Sequence, residues 1–281
     1  MVDFNFSGRP DGLGNRIEEV IRLDAICTRE NQKANYVWNN KVVNRSYEIL
    51  LTSKNIKIAE NEIPNIPSKK NSVFSAHLNQ EEIRSAAKNI KPNFNINFES
   101  SKKPIGIHIR GTDRIGKKNH PHFMRDQNEF FIYLSKTIAL ANQKRPEYIY
   151  ICSDNEKYRE IFIENLDESI TVIQPICDKS LPTEYRDFFA LTLCEEIYMC
   201  SKFSSFALTA SLIGNIPLIS FVLDEDVKAR YKALFRYELD LPDKINIVFK
   251  DNFVSNYQAG KIETSSKRLL KKFKNAFKSI L

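Results

Sequence analysis

The residue of this sequence best suited to chemistry is an arginine at the end of an apolar run. Ile105-Gly-Ile-His-Ile-Arg-Gly-Thr-Asp113 reads as a buried strand that ends in Arg110, turns at Gly111 and presents Asp113. Ligands of open α/β sheets bind at the carboxyl ends of strands, so the pattern puts a guanidinium where a phosphate would lie. Its planar fork can hold two phosphate oxygens and stays charged at any physiological pH. A surface arginine paired with Asp113 would have the same spacing, and Asp113 could also cap the segment that follows.

Other segments offer backbone and hydroxyl groups to an anion. Gly8-Arg-Pro-Asp-Gly-Leu-Gly-Asn-Arg-Ile17 is a glycine-bearing turn between a strand and a helix. Gly12 and Gly14 permit close approach, and the helix start supplies unpaired N–H groups and a positive dipole end; two glycines in such a turn can equally be steric. Ser204 and Ser205, in Cys200-Ser-Lys-Phe-Ser-Ser205, stand just before another helix, which they can cap or help to bind phosphate. Asp154 follows a strand in Ile149-Tyr-Ile-Cys-Ser-Asp-Asn155 and suits a cleft or an N-cap. Asp224 and Asp226 form a D-x-D pair that could hold a metal, but they also open a helix, where acids are favoured. His120 and His122 flank Pro121 with no third ligand at metal-site spacing.

The elements that must position these residues alternate between short apolar runs and longer stretches of helical period, the pattern of an α/β protein with a parallel sheet. Strands are predicted near Phe4, at 36–38, 105–109, 148–152, 171–174, 217–222 and 245–249. Helices are predicted around 15–30, 80–88, 127–143, 155–164, 183–199, 205–213 and 225–235. Leu191, Cys194 and Tyr198 share one face of the helix over 183–199 and read as core. The polar stretch 53–72, with two prolines, reads as an irregular excursion, and 91–104 has linker composition. The expected organisation is two Rossmann-like domains facing a cleft. Residues 1–100 form the acceptor-side domain, 101–260 the donor-binding domain, and 261–281 a basic amphipathic helix.

Composition limits the partners. A chain of 281 residues with 42% hydrophobic residues can fill such cores. Of the net charge of +7, the stretch Lys261 to Leu281 supplies most, with seven basic residues against one acid, so the rest is nearly neutral and a broad nucleic-acid surface is not expected. In that stretch Leu269, Leu270, Phe273, Phe277 and Ile280 form one apolar stripe with lysines on the other faces. The helix can lie on an anionic membrane surface or pack on the protein's own sheet. Met1 to Ile17 lacks the pattern of a signal peptide, and the five cysteines read as reduced core thiols. A cytoplasmic protein is expected, at the inner face of the cell membrane if the tail binds lipid.

Together these segments resemble the α-1,2/α-1,6/protein O-fucosyltransferase superfamily, which includes the bacterial nodulation fucosyltransferases. His108, Arg110 and Asp113 form its H-x-R-x-x-D pattern, Gly12-Leu-Gly-Asn-Arg16 is similar to its first donor loop, and Cys200 to Ser205 is similar to its late serine motif. Tyr148 to Asn155 resembles the strand and acidic turn between them, so the resemblance covers most of residues 8–214. It implies a GT-B type fold and inverting transfer from a GDP-sugar, GDP-fucose first, without an essential metal or a cofactor. On that resemblance Arg110 contacts the diphosphate, and His108 lines the donor site with Gly12, Gly14, Asn15 and Arg16. Asp154 belongs to the acidic turn, Asp187 helps hold the nucleotide, and Ser204 or Ser205 binds phosphate. Asp113, His120, His122 and Asp126 are the candidates for the base. Two departures stand out: many members carry a second arginine where this chain has Gly111, and the α-1,6 enzymes carry a glutamate where this chain reads Ile115-Gly-Lys-Lys-Asn-His120. Alternatives on the same scaffold are transfer of another sugar, such as a heptose, or a catalytically silent glycan- or nucleotide-binding protein. The acceptor is expected by analogy to be a glycan, free or lipid-linked, of a bacterial surface polysaccharide.

Overall fold

The computed structural model describes residues 2–38, 51–69, 73–111, 115–116, 123–222 and 245–249. Asp113, His120, His122, the Asp224/Asp226 pair, the helix expected over 225–235 and the tail 261–281 lie outside the described residues.

The first half of the chain runs β1 (Phe4–Ser7), α1 (Leu13–Glu30), β2 (Ala34–Val37), β3 (Leu51–Thr52), β4 (Ile56–Ala59), β5 (Ser68–Lys69), α2 (Gln80–Asn89), β6 (Lys91–Pro92) and β7 (Ile96–Asn97). Its main sheet has the order β4-β2-β1-β5, all parallel. Buried Asn5 and Asn35 hold the connection between β4 and β5. The Asn35 amide donates to Asn5 Oδ1 at 2.8 Å, and the Asn5 amide donates to the carbonyls of Ile63 and Ile66 at 3.0 Å. The expected irregular stretch 53–72 therefore contains two strands, which polar composition hides because one lies at each edge of the sheet, where a strand need not be apolar. The linker-like stretch 91–104 is also pinned, β6 pairing with β3 and β7 with a strand of the second half.

That second half runs β8 (Ile105–Ile109), α3 (Gln127–Lys144), β9 (Tyr148–Ser153), α4 (Glu156–Glu164), β10 (Thr171–Val172), β11 (Ile176–Cys177), α5 (Thr183–Thr192), β12 (Ile197–Cys200), α6 (Ser205–Gly214), β13 (Leu218–Val222) and β14 (Ile245–Phe249). A parallel sheet of order β10-β9-β8-β12-β13-β14 forms its centre. Side chains alternate across it as the pleat requires. Ile105, Ile107, Ile109, Ile149 and Ile151 pack with α3 and α4. Tyr150, Cys152, Ile197 and Met199 face α5, α6 and the first half.

β12 is the main departure from the expected elements. The helix predicted over 183–199 ends at Thr192, and Ile197–Cys200 is a fully buried strand between β8 and β13. Tyr198 is thus a strand residue, its hydroxyl donating to Glu196 Oε1 at 2.8 Å. A strand covered on both faces shows no alternation, so its apolar run prolongs a helical pattern without a break.

One core runs through both halves, joining residues of β1, β2, α1 and α2 to those of α5, α6 and β12. Helix α1 lies at its centre and is buried on nearly every side, four charged residues included. Two of these, Glu19 and Asp24, find their partners outside the helix. Asp24 accepts from Ser53 Oγ, Asn55 N–H and the Asn89 amide at 2.8–3.1 Å. Four of the five cysteines are buried; Cys177, in the short β11, is half-buried, and none is disulfide-bonded.

Candidate functional site

Counting from β8, the second sheet has the strand order 3-2-1-4-5-6, and its topological switch point falls between β8 and β12. The chain leaves β8 towards α3 on one face and leaves β12 towards α6 on the other, which opens a crevice at the carboxyl edge. Arg110 follows β8 and the serine turn follows β12, so the two segments singled out by residue type flank that crevice. The first sheet repeats the arrangement, with β1 between β2 and β5 and the glycine turn directly after it.

The two halves meet here. A Cβ on Gly14 would lie 2.5 Å from Phe206 N and 2.6 Å from the Ser205 carbonyl carbon, so the first turn of α1 is seated on the backbone of the first turn of α6. Thr209 Oγ1, one turn further along α6, donates to the Gly14 carbonyl at 3.2 Å. Gly12 is the N-cap of α1, has open space around it and an ordinary φ of −62°. Asn15 is half-buried in that first turn.

These two helix starts differ from the others. Helices α2, α3 and α4 are capped by the side chains of Asn79, Asp126 and Asn155, and α5 has Glu184 in its first turn. Neither α1 nor α6 has a side-chain cap or a first-turn acid. Asp11, just before α1, accepts from Gly12 N–H at 2.8 Å and pairs with Arg9 at 3.2 Å. Ser204 holds the N-cap position of α6 without capping it; its hydroxyl is buried and makes no hydrogen bond. A buried hydroxyl without a partner costs about 1–3 kcal/mol, and beside two uncapped helix starts it is an acceptor-seeking group. Ser205 is the first residue of α6 and 7% exposed.

Of the remaining candidates, His108 reaches this contact through Phe206. His108, on β8 and buried, stacks on Phe206 with ring centroids 5.3 Å apart, and Phe206 meets Phe188 edge-on at 5.2 Å. Half-buried Arg110 follows two residues later. Asp154 shapes the turn after Arg110, its carboxylate accepting Gly111 N–H at 3.0 Å while its own N–H reaches the Ile109 carbonyl at 3.3 Å. A Cβ on Gly111 would lie 2.6 Å from the Tyr158 ring and 2.9 Å from that of Phe130, so packing leaves no room there for a larger residue. Arg16 is 1% exposed, its guanidinium 4.4 Å over the Trp38 ring, so its charge acts from behind the start of α1. Asp187, on α5, accepts from Tyr150 Oη at 2.8 Å and lies close enough to Cys152, the partner of His108 across β8 and β9, to act on it electrostatically. Burial pushes the Asp187 carboxyl above its ordinary range, against the lowering effect of Tyr150 and Arg186. Asp126, a candidate base, is the N-cap of α3.

Several residues at the site were not read from the sequence. Glu19, in the second turn of α1, accepts Arg9 N–H at 2.9 Å and the Tyr36 hydroxyl at 2.7 Å, which ties down the glycine turn. Burial raises its carboxyl above the ordinary 4.5. Thr209, Phe206 and Lys202 complete the surroundings. The one sequence signal for Glu19 is a charge among the apolar positions of α1.

No protein-family model matches the sequence, and no curated protein matches it. The fold does have relatives. The α-1,6-fucosyltransferase NodZ co-crystallized with GDP is 12% identical, with a TM-score of 0.51 over 79% of this chain and 96% of that one. The selenomethionine form of the fucosyltransferase NodZ from Bradyrhizobium gives 0.50 at the same identity and coverage. POFUT1 in complex with GDP-fucose is 8% identical, at 0.44 over 75% of this chain and 93% of that one. At such identities the likeness is one of fold: the chain has a GT-B architecture like that of NodZ.

Proposed function

From a fucosyltransferase-like fold in which two uncapped helix starts meet and an arginine ends the strand next to β12, we propose that this chain is a glycosyltransferase. It takes sugar from a GDP-sugar, GDP-fucose first, and transfers it with inversion and without metal to a glycan acceptor. The observation that carries the reading is the contact of Gly14 with the start of α6 beside the unsatisfied Ser204 hydroxyl. Backbone N–H groups of two helix starts, their dipole ends and a hydroxyl are brought together there, groups of the kind that hold an anion. NodZ, of the same fold, was crystallised with GDP, which supports a guanine nucleotide as the occupant.

Transfer separates charge as the sugar leaves the diphosphate, so groups that hold the developing charge more tightly in the transition state lower the barrier. In this reading Arg110 takes two diphosphate oxygens, Ser204 donates its free hydroxyl, and the starts of α1 and α6 supply fixed dipoles. Asp154 holds the turn after Arg110 in shape. Metal independence and inversion rest on the motif resemblance, as does a surface-polysaccharide acceptor. The tail 261–281 is proposed to hold the enzyme on anionic lipid, where a lipid-linked acceptor would be met. Gly111 favours a second reading, transfer of a different nucleotide-linked sugar, because Tyr158 and Phe130 fill the space that a second arginine would need.

The test is thermal shift with GDP, UDP, ADP and their sugars, followed by sugar release in excess chelator. A ligand at a hundred times its Kd stabilises the fold by about 2.7 kcal/mol. Stabilisation by GDP above UDP and ADP, with release of fucose from GDP-fucose, is the expected result. A protein indifferent to all of these nucleotides would sink the donor assignment.

A further inference from the structure

Among the described residues next to the crevice, one buried ion pair has no role so far. Lys202 Nζ lies 2.7 Å from Glu129 Oε1, with side chains 8% and 5% exposed. Lys202 is in the turn between β12 and α6, two residues before Ser204. Glu129 is in the first turn of α3, at the far end of the segment that leaves β8 at Arg110. The second oxygen of Glu129 accepts the Arg125 backbone N–H, and the Arg125 side chain is 3.6 Å from it. Just upstream, fully buried Met124 bridges to Ile115, and its carbonyl accepts Gly116 N–H at 2.9 Å. One carboxylate thus joins Arg125, just before α3, to the turn that carries Ser204.

Stability is a poor reason for such a pair, since desolvating two charges offsets most of their attraction and apolar residues of similar volume often do as well. What the pair offers is a directional link. α3 and α6 lie on opposite faces of the sheet, and Lys202 and Glu129 join their starts at the switch point. We propose that Lys202–Glu129 is a positioning pair that holds the Ser204–Ser205 turn in register with the Arg110 segment before a diphosphate arrives. The inference rests on the donor-site reading above and extends it to preorganisation.

The experiment compares wild type with Lys202→Met/Glu129→Leu, which removes both charges at similar volume. Expected are a melting temperature within a few degrees of wild type, GDP affinity lowered at least tenfold, and faster amide exchange at residues 203–208 in nucleotide-free protein. Wild-type GDP affinity together with unchanged exchange in a variant that melts normally would overturn the proposal. Should the double variant not fold, Lys202→Met alone decides by the same two readings, because it removes the link while Glu129 keeps Arg125 as a partner; wild-type values there would overturn it too. Failure of the donor reading is separate: it would show as wild-type protein that GDP does not stabilise, whereas exchange without nucleotide judges the pair alone.

Discussion

Arg110 and Ser204 should fail in different ways when altered. Arg110→Ala is expected to lose transfer by about two orders of magnitude or more, the scale for removing one charge-stabilising donor. Arg110→Lys should recover little, because an ammonium cannot form the two-pronged contact. Initial rates of sugar transfer check both. Ser204→Ala removes a buried hydroxyl that has no partner, so its melting temperature without nucleotide should equal or exceed that of wild type. Its stabilisation by GDP should fall at the same time. A variant that melts lower in both states would mark Ser204 as structural.

At the scale of elements, the seat of α1 on α6 separates two glycines that look alike in sequence. Gly14→Ala drives a methyl into the backbone of Ser205 and Phe206, which cannot turn aside, and should cost about 1–3 kcal/mol along with GDP affinity. Gly12→Ala, with open space around it, should leave the melting temperature nearly unchanged; denaturant melts of the two variants decide. Glu19 gives a pH signature. Its raised carboxyl favours the protonated form in the folded state, so its stabilising effect is complete below about 4.5 and is lost as pH rises through the folded value. Glu19→Gln keeps an acceptor for Arg9 and Tyr36 without the buried charge, so melting temperatures of variant and wild type should agree near about pH 4 and diverge in the variant's favour towards about pH 8. The strand-turn-helix segments around Gly12, Arg110 and Ser204 were legible because their punctuation is local. β12 was not, since burial on both faces erased its period, and β4 and β5 were masked by the polar composition of edge strands. Lys202 and Glu129 could not be paired from sequence, because 73 positions separate them and only the sheet order brings them together.

For the whole molecule, one core shared by both sheets makes the crevice a product of the complete fold. The basic tail adds a question of place. Deleting the residues after Gly260 should abolish sedimentation with anionic vesicles while leaving the melting temperature unchanged; a large fall in melting temperature, with no vesicle binding by the intact protein, would assign the tail to packing instead. The bond from Thr209 to Gly14 spans 195 positions of the chain. Closing so long a loop carries an entropic penalty that the contact repays only once both sheets exist, so this junction is expected among the last events of folding. A nucleotide that needs the junction cannot guide earlier steps, yet by trapping the finished state it should raise the yield of refolding and shield weakened variants from proteolysis.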